Sequence, residues 1–386
     1  MATSRIAEAG TLWSRAARSK SYSKESRSKL ELRRILMTFC RGRAIHLFCF
    51  SLVSGLAQQS APAPDHHMTL DVVVTDKSGK PIPNLQQQDF TLLDNKQPVK
   101  ILSFEAVVAH PPVEVVLLVD EINTAFINVS LERQQVEKYL KRDGGELPRP
   151  VSLAIASDSG VAMSTITTQD GNALVEQLKQ NKANLRTITR SQGVYGAQDR
   201  VSLSLHTLEQ LADYEAPKPG RKLVIWISPG WPFLSGPGIE LSGKTRESLF
   251  HSIVAVSDGL RRARITLYSI DPLGTNDAGR SRIYYYKEFT KPVKKEAQAQ
   301  IGNLGLQVLA TQSGGLVLNS SNDVASEIAA CVADANAFYV LTFDGSPGDG
   351  PNDHHSLEIK IDKPGLTART RSGYYAQPEH APSHGS

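Results

Sequence analysis

The stretch Val113–Asp120, with the sequence VEVVLLVD, is an almost continuous apolar run that ends in a carboxylate. Such a run is typical of a strand buried on both faces, as in a parallel sheet that helices cover. Similar runs occur at 151–156, 223–227, 265–270, 316–318 and 338–343, and helical periodicity occurs at 131–140, 172–180, 201–214, 246–262, 298–312 and 323–335. The alternation predicts an α/β fold with a Rossmann-like, doubly wound and mainly parallel sheet.

Both flanks of this region have a different pattern, with short β-branched segments separated by turn residues. These segments are 68–75, 89–93 and 99–104 on the N-terminal side, and 357–361 and 366–370 on the C-terminal side. They predict a small accessory β module built from N- and C-terminal segments. A module of this size needs to pack on a larger partner to be stable.

The N-terminus has the pattern of an export signal. Nine basic and three acidic residues lie in 1–36, and Met37, Arg41 and Arg43 then precede an apolar run at 44–56. The run ends in Ser54-Gly55-Leu56-Ala57, which suits signal peptidase, and it is too short to be a stable membrane span. We therefore predict a signal peptide at 37–57 and a secreted or periplasmic, cell-envelope location. The extension 1–36 is either a basic arm or, if translation starts at Met37, is not translated.

Removal of the signal changes the charge on which a nucleic-acid hypothesis depends. The whole chain has a formal net charge of +4, whereas residues 58–386 have −4 and retain only Cys331 of three cysteines. We expect no nucleic-acid partner, no internal disulfide and no stable membrane span after cleavage. The predicted divisions are 58–67 as linker, 68–110 as N-terminal β module, 111–344 as α/β domain, 345–376 as C-terminal β segments and 377–386 as disordered tail.

One motif indicates an enzyme. Gly238–Thr245, with the sequence GIELSGKT, matches the phosphate-binding P-loop of NTPases. The strand before it ends near Ser228, and three prolines intervene, whereas a P-loop follows its strand directly.

The other candidate residues also give no enzyme signature. The pairs His66-His67 and His354-His355 lack metal-ligand spacing and are expected in solvent, and Cys331 is expected in a core. We therefore predict no catalytic residues and keep the P-loop NTPase as an alternative.

Several stretches together resemble the von Willebrand factor type A (VWA) domain family, and in particular VWFA-related domain proteins of acidobacteria. They are VVVTDKSGKP at 72–81, VLLVDEINT at 116–124, PGRKLVIWISPG at 219–230, ITLYSID at 265–271, SGG at 313–315 and KPGLTARTRSGYY at 363–375. The resemblance spans nearly all of 68–376. It implies a VWA-like α/β domain that binds a ligand at the carboxyl edge of its sheet.

The resemblance also implies where a metal-ion-dependent adhesion site would lie. The implied ligands are Asp120, Thr124 and Ser202, but Ile122 and Pro229 stand where two further ligands belong. Loss of two ligands predicts a degenerate site with at most weak binding of Mg²⁺ or another divalent cation, and no other cofactor.

The ligand-binding loops that the resemblance implies contain six residues: Asp120, Glu121, Asn123, Thr124, Ser202 and Ser228. Glu121 and Asn123 could partly replace the missing ligands. The expected function is a non-enzymatic, exported module for protein binding or adhesion, with a protein or cell-surface ligand. Besides the NTPase, a purely structural envelope protein is the other alternative.

Overall fold

The computed structural model describes residues 67–108, 113–181, 194–232, 241–274 and 282–379. The basic extension, the signal peptide, nearly all of the linker and the end of the C-terminal tail lie outside these ranges. Within them, no helix combines the length and the apolar character that crossing a bilayer requires.

The described residues contain fourteen strands and seven α-helices. The strands are β1 His67–Thr75, β2 Phe90–Asp94, β3 Gln97–Val99, β4 Ser103–Val108, β5 Val113–Asp120, β6 Glu146–Ser157, β7 Gly160–Asp170, β8 Arg221–Ile227, β9 Ile265–Ile270, β10 Val317–Leu318, β11 Ala337–Asp344, β12 Asp353–Ile361, β13 Thr367–Arg369 and β14 Gly373–Ala376. The helices are α1 Phe126–Leu140, α2 Gly171–Gln180, α3 Val194–Glu215, α4 Gly243–Arg262, α5 Arg282–Phe289, α6 Leu306–Gln312 and α7 Val324–Ala333.

The central sheet has six strands in the order β10-β9-β8-β5-β6-β7. All neighbouring pairs are parallel except β6 and β7, so the sheet is mainly parallel with one antiparallel edge strand. Numbered within the sheet, this is the 3-2-1-4-5-6 order of doubly wound folds. The predicted fold class is confirmed.

Two cores cover the two faces of this sheet. Side chains from α1, α2 and α7 pack on one face, and side chains from α3, α4 and α6 pack on the other. In β5, Val115, Val116, Leu117, Leu118 and Val119 are all fully buried, because successive residues point into opposite cores. The continuous apolar run in the sequence thus reflects burial on both faces.

The accessory module consists of two four-stranded sheets, β13-β1-β11-β4 and β14-β12-β2-β3. Leu70, Leu92, Leu341 and Tyr374 are among the residues that form a third core between them. The module therefore joins segments from both ends of the described chain, as predicted.

The strand β11 differs from the prediction, which placed 338–343 in the α/β domain. It pairs antiparallel with β1 and β4 in the accessory module. Tyr339, Leu341 and Phe343 point into the accessory core, whereas Phe338 and Val340 pack on the core beneath α1 and α7. Because both faces of β11 are buried, its sequence has the continuous apolar pattern that is typical of strands in a parallel sheet.

Candidate functional site at the carboxyl edge of the sheet

The order of the central sheet reverses between β5 and β8, and both strands end at the same edge. Open α/β sheets bind ligands in the crevice at this place. Asp120 is the last residue of β5, and Ser228 directly follows β8. The loop after β5 contains Glu121, Asn123 and Thr124, so the topology brings five of the six predicted residues to one edge.

The carboxylate of Asp120 is fully buried and is the centre of this cluster. Its Oδ1 accepts hydrogen bonds from the backbone N–H groups of Ile122 at 2.8 Å and Asn123 at 2.9 Å. Its Oδ2 accepts from Asn123 Nδ2 at 2.9 Å and from Trp226 Nε1 at 3.0 Å. Four donors occupy the four acceptor positions of a carboxylate. Asp120 therefore acts as a cap that joins β5, its following loop and β8.

Ser204, and not Ser202, reaches this cluster from α3. Asn123 Nδ2 donates to Ser204 Oγ at 2.9 Å, and Ser204 is fully buried. Ser202 is exposed to solvent. Two residues along an α-helix correspond to a rotation of about 200° around its axis, so the side chains of Ser202 and Ser204 lie on nearly opposite faces. The prediction that Ser202 lies at this edge is therefore wrong, and Ser204 is the serine of α3 that reaches it.

Glu121 is held by an arginine of α1. Arg133 of α1 donates from Nη2 to Glu121 Oε1 and to the carbonyl of Asn181 at 2.8 Å, and from Nη1 to the carbonyl of Leu178 at 3.2 Å. The ion pair is nearly buried, with 4% of the Glu121 side chain exposed. Glu121 thus holds Arg133, which binds the carbonyls at the end of α2, and its carboxylate is engaged in this ion pair.

Glu132 is a member of the cluster that the sequence analysis missed. Its Oε1 accepts from the backbone N–H of Asp120 at 3.0 Å, and its side chain is fully buried. The signal was present, because Val129, Glu132 and Val136 follow the i, i+3, i+7 spacing of one buried helix face. An acid within an apolar stripe indicates a buried polar partner.

Burial raises the pKa of Glu132 well above its usual value, and the nearby carboxylates of Asp120 and Glu121 raise it further. The hydroxyl of Thr124 opposes this rise, yet Thr124 Oγ1 and Glu132 Oε2 have no hydrogen-bond partner among the described residues. A proton on Oε2 removes the charge from a buried carboxylate whose second oxygen has no donor. The neutral acid is therefore the form that fits the site.

The segment after β8 forms the other wall of the crevice. Ser228 Oγ accepts from the N–H of Gly230 at 3.0 Å, and Gly230 has φ of +96°, which favours glycine. The indole rings of Trp226 and Trp231 pack edge to face with their centroids 5.1 Å apart. The predicted site residue Ser228 is thus a buried turn residue whose hydroxyl is already used.

The residues present do not fit the divalent cation that the resemblance implies. N–H donors surround both oxygens of Asp120, and these donors point at the positions that a cation needs. Of the three implied ligands, only Thr124 has an unused oxygen near Asp120. No group of three His, Cys, Asp or Glu side chains suited to a metal occurs in the part of the chain that the structure describes.

The P-loop-like motif is only partly described, because 233–240 lie outside the described residues. Among the described residues, β8 ends at Ile227 and α4 begins at Gly243, the sixth residue of the motif. Ser242 caps α4 by accepting from the N–H of Thr245 at 3.2 Å, and the hydroxyls of Ser242 and Thr245 bond to each other at 2.8 Å. The Thr245 N–H group, which in a P-loop would bind phosphate, therefore binds the hydroxyl of Ser242 in this structure.

The histidine pair of β12 is buried, whereas the sequence predicted solvent exposure. His355 Nδ1 lies 2.9 Å from Asp94 Oδ1, and Tyr374 donates to Asp94 Oδ2 at 2.8 Å. His354 points the other way and packs on Tyr375. The alternation of a strand buried on both faces explains the difference. Cys331 is fully buried in a core, as predicted.

Comparison with known proteins yields fold-level likenesses only. No family model matches the chain, and no curated protein matches it. Among solved structures, an aerotolerance-related membrane protein from Bacteroides fragilis matches with a TM-score of 0.34 and 12% identity, over 57% of this chain and 98% of that one. The manganese-loaded TRAP protein of Plasmodium vivax matches with a TM-score of 0.31 and 11% identity, over 72% of this chain and 98% of that one.

A third similar structure is the pilus adhesin SpaC from Lactobacillus rhamnosus GG. Its TM-score is 0.32 and its identity 10%, over 77% of this chain, which spans 43% of the adhesin. Because all three TM-scores are low, the assignment of the fold depends on the strand order described above. The chain contains a VWA-like α/β domain, joined to an antiparallel β module, with a capped aspartate at the carboxyl edge of its central sheet.

Proposed function

We propose that this chain is an exported, non-enzymatic module that binds a protein or cell-surface ligand at the carboxyl edge of the central sheet, without a metal ion. The observation that carries the proposal is the saturated carboxylate of Asp120. Its hydrogen bonds hold the loop after β5 against β8. The ligand would then bind through direct contacts with the surrounding loops.

The polar groups of the edge support binding over catalysis. Asp120, Glu121 and Ser228 are each engaged in capping or ion-pair contacts, so none is available as a nucleophile or general base. Trp231 Nε1 and Asn123 Oδ1 are buried at the same edge and have no hydrogen-bond partner among the described residues. Groups of this kind are suited to a hydrogen bond with water or with a bound polypeptide.

A pair of alanine-to-arginine variants tests where the ligand binds. Ala125 is exposed at the start of α1, directly after the edge loop, and Ala173 is exposed in the first turn of α2. The start of α2 lies at the opposite edge, since Asn172 Nδ2 donates to the carbonyl of Gly144 just before β6. Residues 58–386 are immobilised and exposed to an envelope fraction in EDTA.

The proposal predicts a specific captured protein with wild type and Ala173→Arg, and its loss with Ala125→Arg. Equal capture by the two variants argues against this edge as the binding surface. Capture that requires Mg²⁺ contradicts the absence of a metal. ATP hydrolysis that disappears in Lys244→Ala replaces the proposal with the NTPase alternative.

A further inference from the structure

A small pocket lies at the opposite, amino edge of the sheet, where α4 meets the accessory module. Three arginines line it, namely Arg261 at the end of α4, Arg264 just before β9, and Arg371 between β13 and β14. Asp71 of β1 also lines it. The pocket has a volume of about 20 Å³, so it admits one small group and not an extended ligand.

The arginines outnumber the carboxylates that face them. Arg264 binds both carboxylate oxygens of Asp71, with Nε at 3.3 Å from Oδ2. Arg261 Nε lies 3.5 Å from Asp258 Oδ1. Arg371 has no hydrogen-bonded or ion-paired partner for its guanidinium among the described residues, and Asp71 and Asp258 act on it only from a distance. One positive charge therefore remains without a direct counter-charge.

The position of Arg371 makes this charge unfavourable in the absence of a ligand. Arg371 is half-buried, and burial together with the neighbouring Arg261 lowers its pKa to about 10, whereas Asp71 and Asp258 oppose the change. A guanidinium that loses part of its hydration without a partner carries a free-energy cost. An anion in the pocket offsets that cost and also reduces the repulsion between Arg261 and Arg371.

We propose that this pocket binds a single oxyanion group, a phosphate, sulfate or carboxylate, through Arg371 and Arg261. Planar guanidinium groups bind such oxygens with two parallel hydrogen bonds. The site is separate from the edge that contains Asp120, because it lies at the start of β9 and not at the end of β5. Its occupant bridges the end of α4 and the C-terminal segment of the chain.

Thermal denaturation of the full chain in different sodium salts tests this site. Phosphate, sulfate and acetate are each titrated against chloride at constant ionic strength and pH, which distinguishes the three sources of the oxyanion. We expect a saturable rise in melting temperature with at least one of them. Arg371→Gln is expected to weaken the apparent affinity roughly tenfold or more.

Arg262→Gln is the matched control, because Arg262 is exposed in the same last turn of α4 and its replacement removes the same charge. It is expected to respond to the anion as wild type does. If Arg371→Gln does not fold, Arg261→Gln decides in its place, with a weakened response supporting the site. The proposal is overturned if no oxyanion exceeds chloride, or if the folded arginine variant keeps the wild-type response.

Discussion

Asp120 connects three parts of the molecule through one carboxylate. It ends β5, binds two backbone N–H groups of the following loop, and accepts from the indole of Trp226 in β8. Glu132 holds the backbone N–H of the same residue from α1. The edge of the sheet is therefore fixed by protein contacts that, in a metal-binding domain, a cation and its ligands would provide.

Asp120→Ala is expected to lower the free energy of unfolding by about 3 kcal/mol, because it leaves several buried N–H donors without an acceptor. Ser202→Ala is the control and is expected to stay within about 0.5 kcal/mol, since Ser202 is exposed. Urea denaturation measures both. A loss below about 1 kcal/mol for Asp120→Ala contradicts the role of the carboxylate as a cap.

Glu132→Gln tests the neutral form of the buried acid. Because the pKa of Glu132 is raised in the folded chain, its stabilising contribution is complete below the ordinary glutamate pKa and is lost as pH rises through the raised pKa. The glutamine keeps an acceptor for Asp120 N–H and adds a fixed donor. We expect the variant to gain stability relative to wild type between about pH 5 and about pH 8.

The measurement is the difference in unfolding free energy between Glu132→Gln and wild type at the two pH values, so that other titrating groups cancel. A difference that does not change with pH contradicts a neutral Glu132.

The positions of Asp120 and Ser228 can be predicted from the sequence, because each lies at the end of an apolar strand and these strand ends meet at one edge. The choice of Ser204 over Ser202 cannot be predicted in this way, since it depends on how α3 is rotated about its axis. The hydrogen bond from Trp226 Nε1 to Asp120 is also not visible in the sequence. Such contacts depend on tertiary packing across elements distant in sequence.

At the scale of elements, β11 and β13 join the two parts of the molecule. Arg369 of β13 donates to Asp334 Oδ2 at 2.7 Å, and Tyr268 of β9 donates to the same oxygen at 2.7 Å. Arg221 of β8 donates to the carbonyl of Asp334 at 3.0 Å and packs on the ring of Phe338. A buried ionic network thus lies where the central sheet meets the accessory module.

Asp334→Ala is expected to lower the free energy of unfolding by roughly 3–5 kcal/mol, because it leaves Arg369 without its counter-charge in a mostly buried place. The contrasting variant is Lys138→Ala, which removes an exposed ion pair with Asp323 at the start of α7. That change is expected to cost less than about 1 kcal/mol. Similar losses for the two variants, measured by urea denaturation, contradict the buried network.

The strands that the sequence analysis missed or placed differently lie at element boundaries. The antiparallel strand β7 is an edge strand whose side chains are mostly exposed, so it lacks the apolar pattern of the parallel strands. Strand β11 has that pattern but belongs to the accessory module. Local sequence shows that a strand is buried on both faces, and it does not show which sheet the strand joins.

At the scale of the whole molecule, the described residues belong to one compact unit that begins at residue 64. Tyr375 of β14 packs on Phe250 of α4, with ring centroids 5.9 Å apart, and donates to the carbonyl of Val293 at 3.0 Å. Arg264, just before β9, forms a further contact with Asp71 of β1. The accessory module therefore completes the core of the α/β domain.

A chain truncated after residue 344 is expected to lose cooperative unfolding. Removal of β12, β13 and β14 leaves β2 paired with β3 on one side only, takes away a partner of β1, and exposes the face of α4 that Tyr375 covers. Residues 58–386 are expected to unfold in a single transition by calorimetry, whereas 58–344 are not. A sharp transition for the truncated chain shows that the α/β domain is stable alone and contradicts this interdependence.

We propose that the carboxyl edge is held by protein donors and needs no divalent cation. Thermal denaturation of residues 58–386 in Mn²⁺, in Mg²⁺ and in EDTA tests this proposal, because a cation bound by the folded state raises the melting temperature. We expect the same melting temperature in all three. A saturable rise with Mn²⁺ or Mg²⁺ that disappears in Thr124→Val would contradict it.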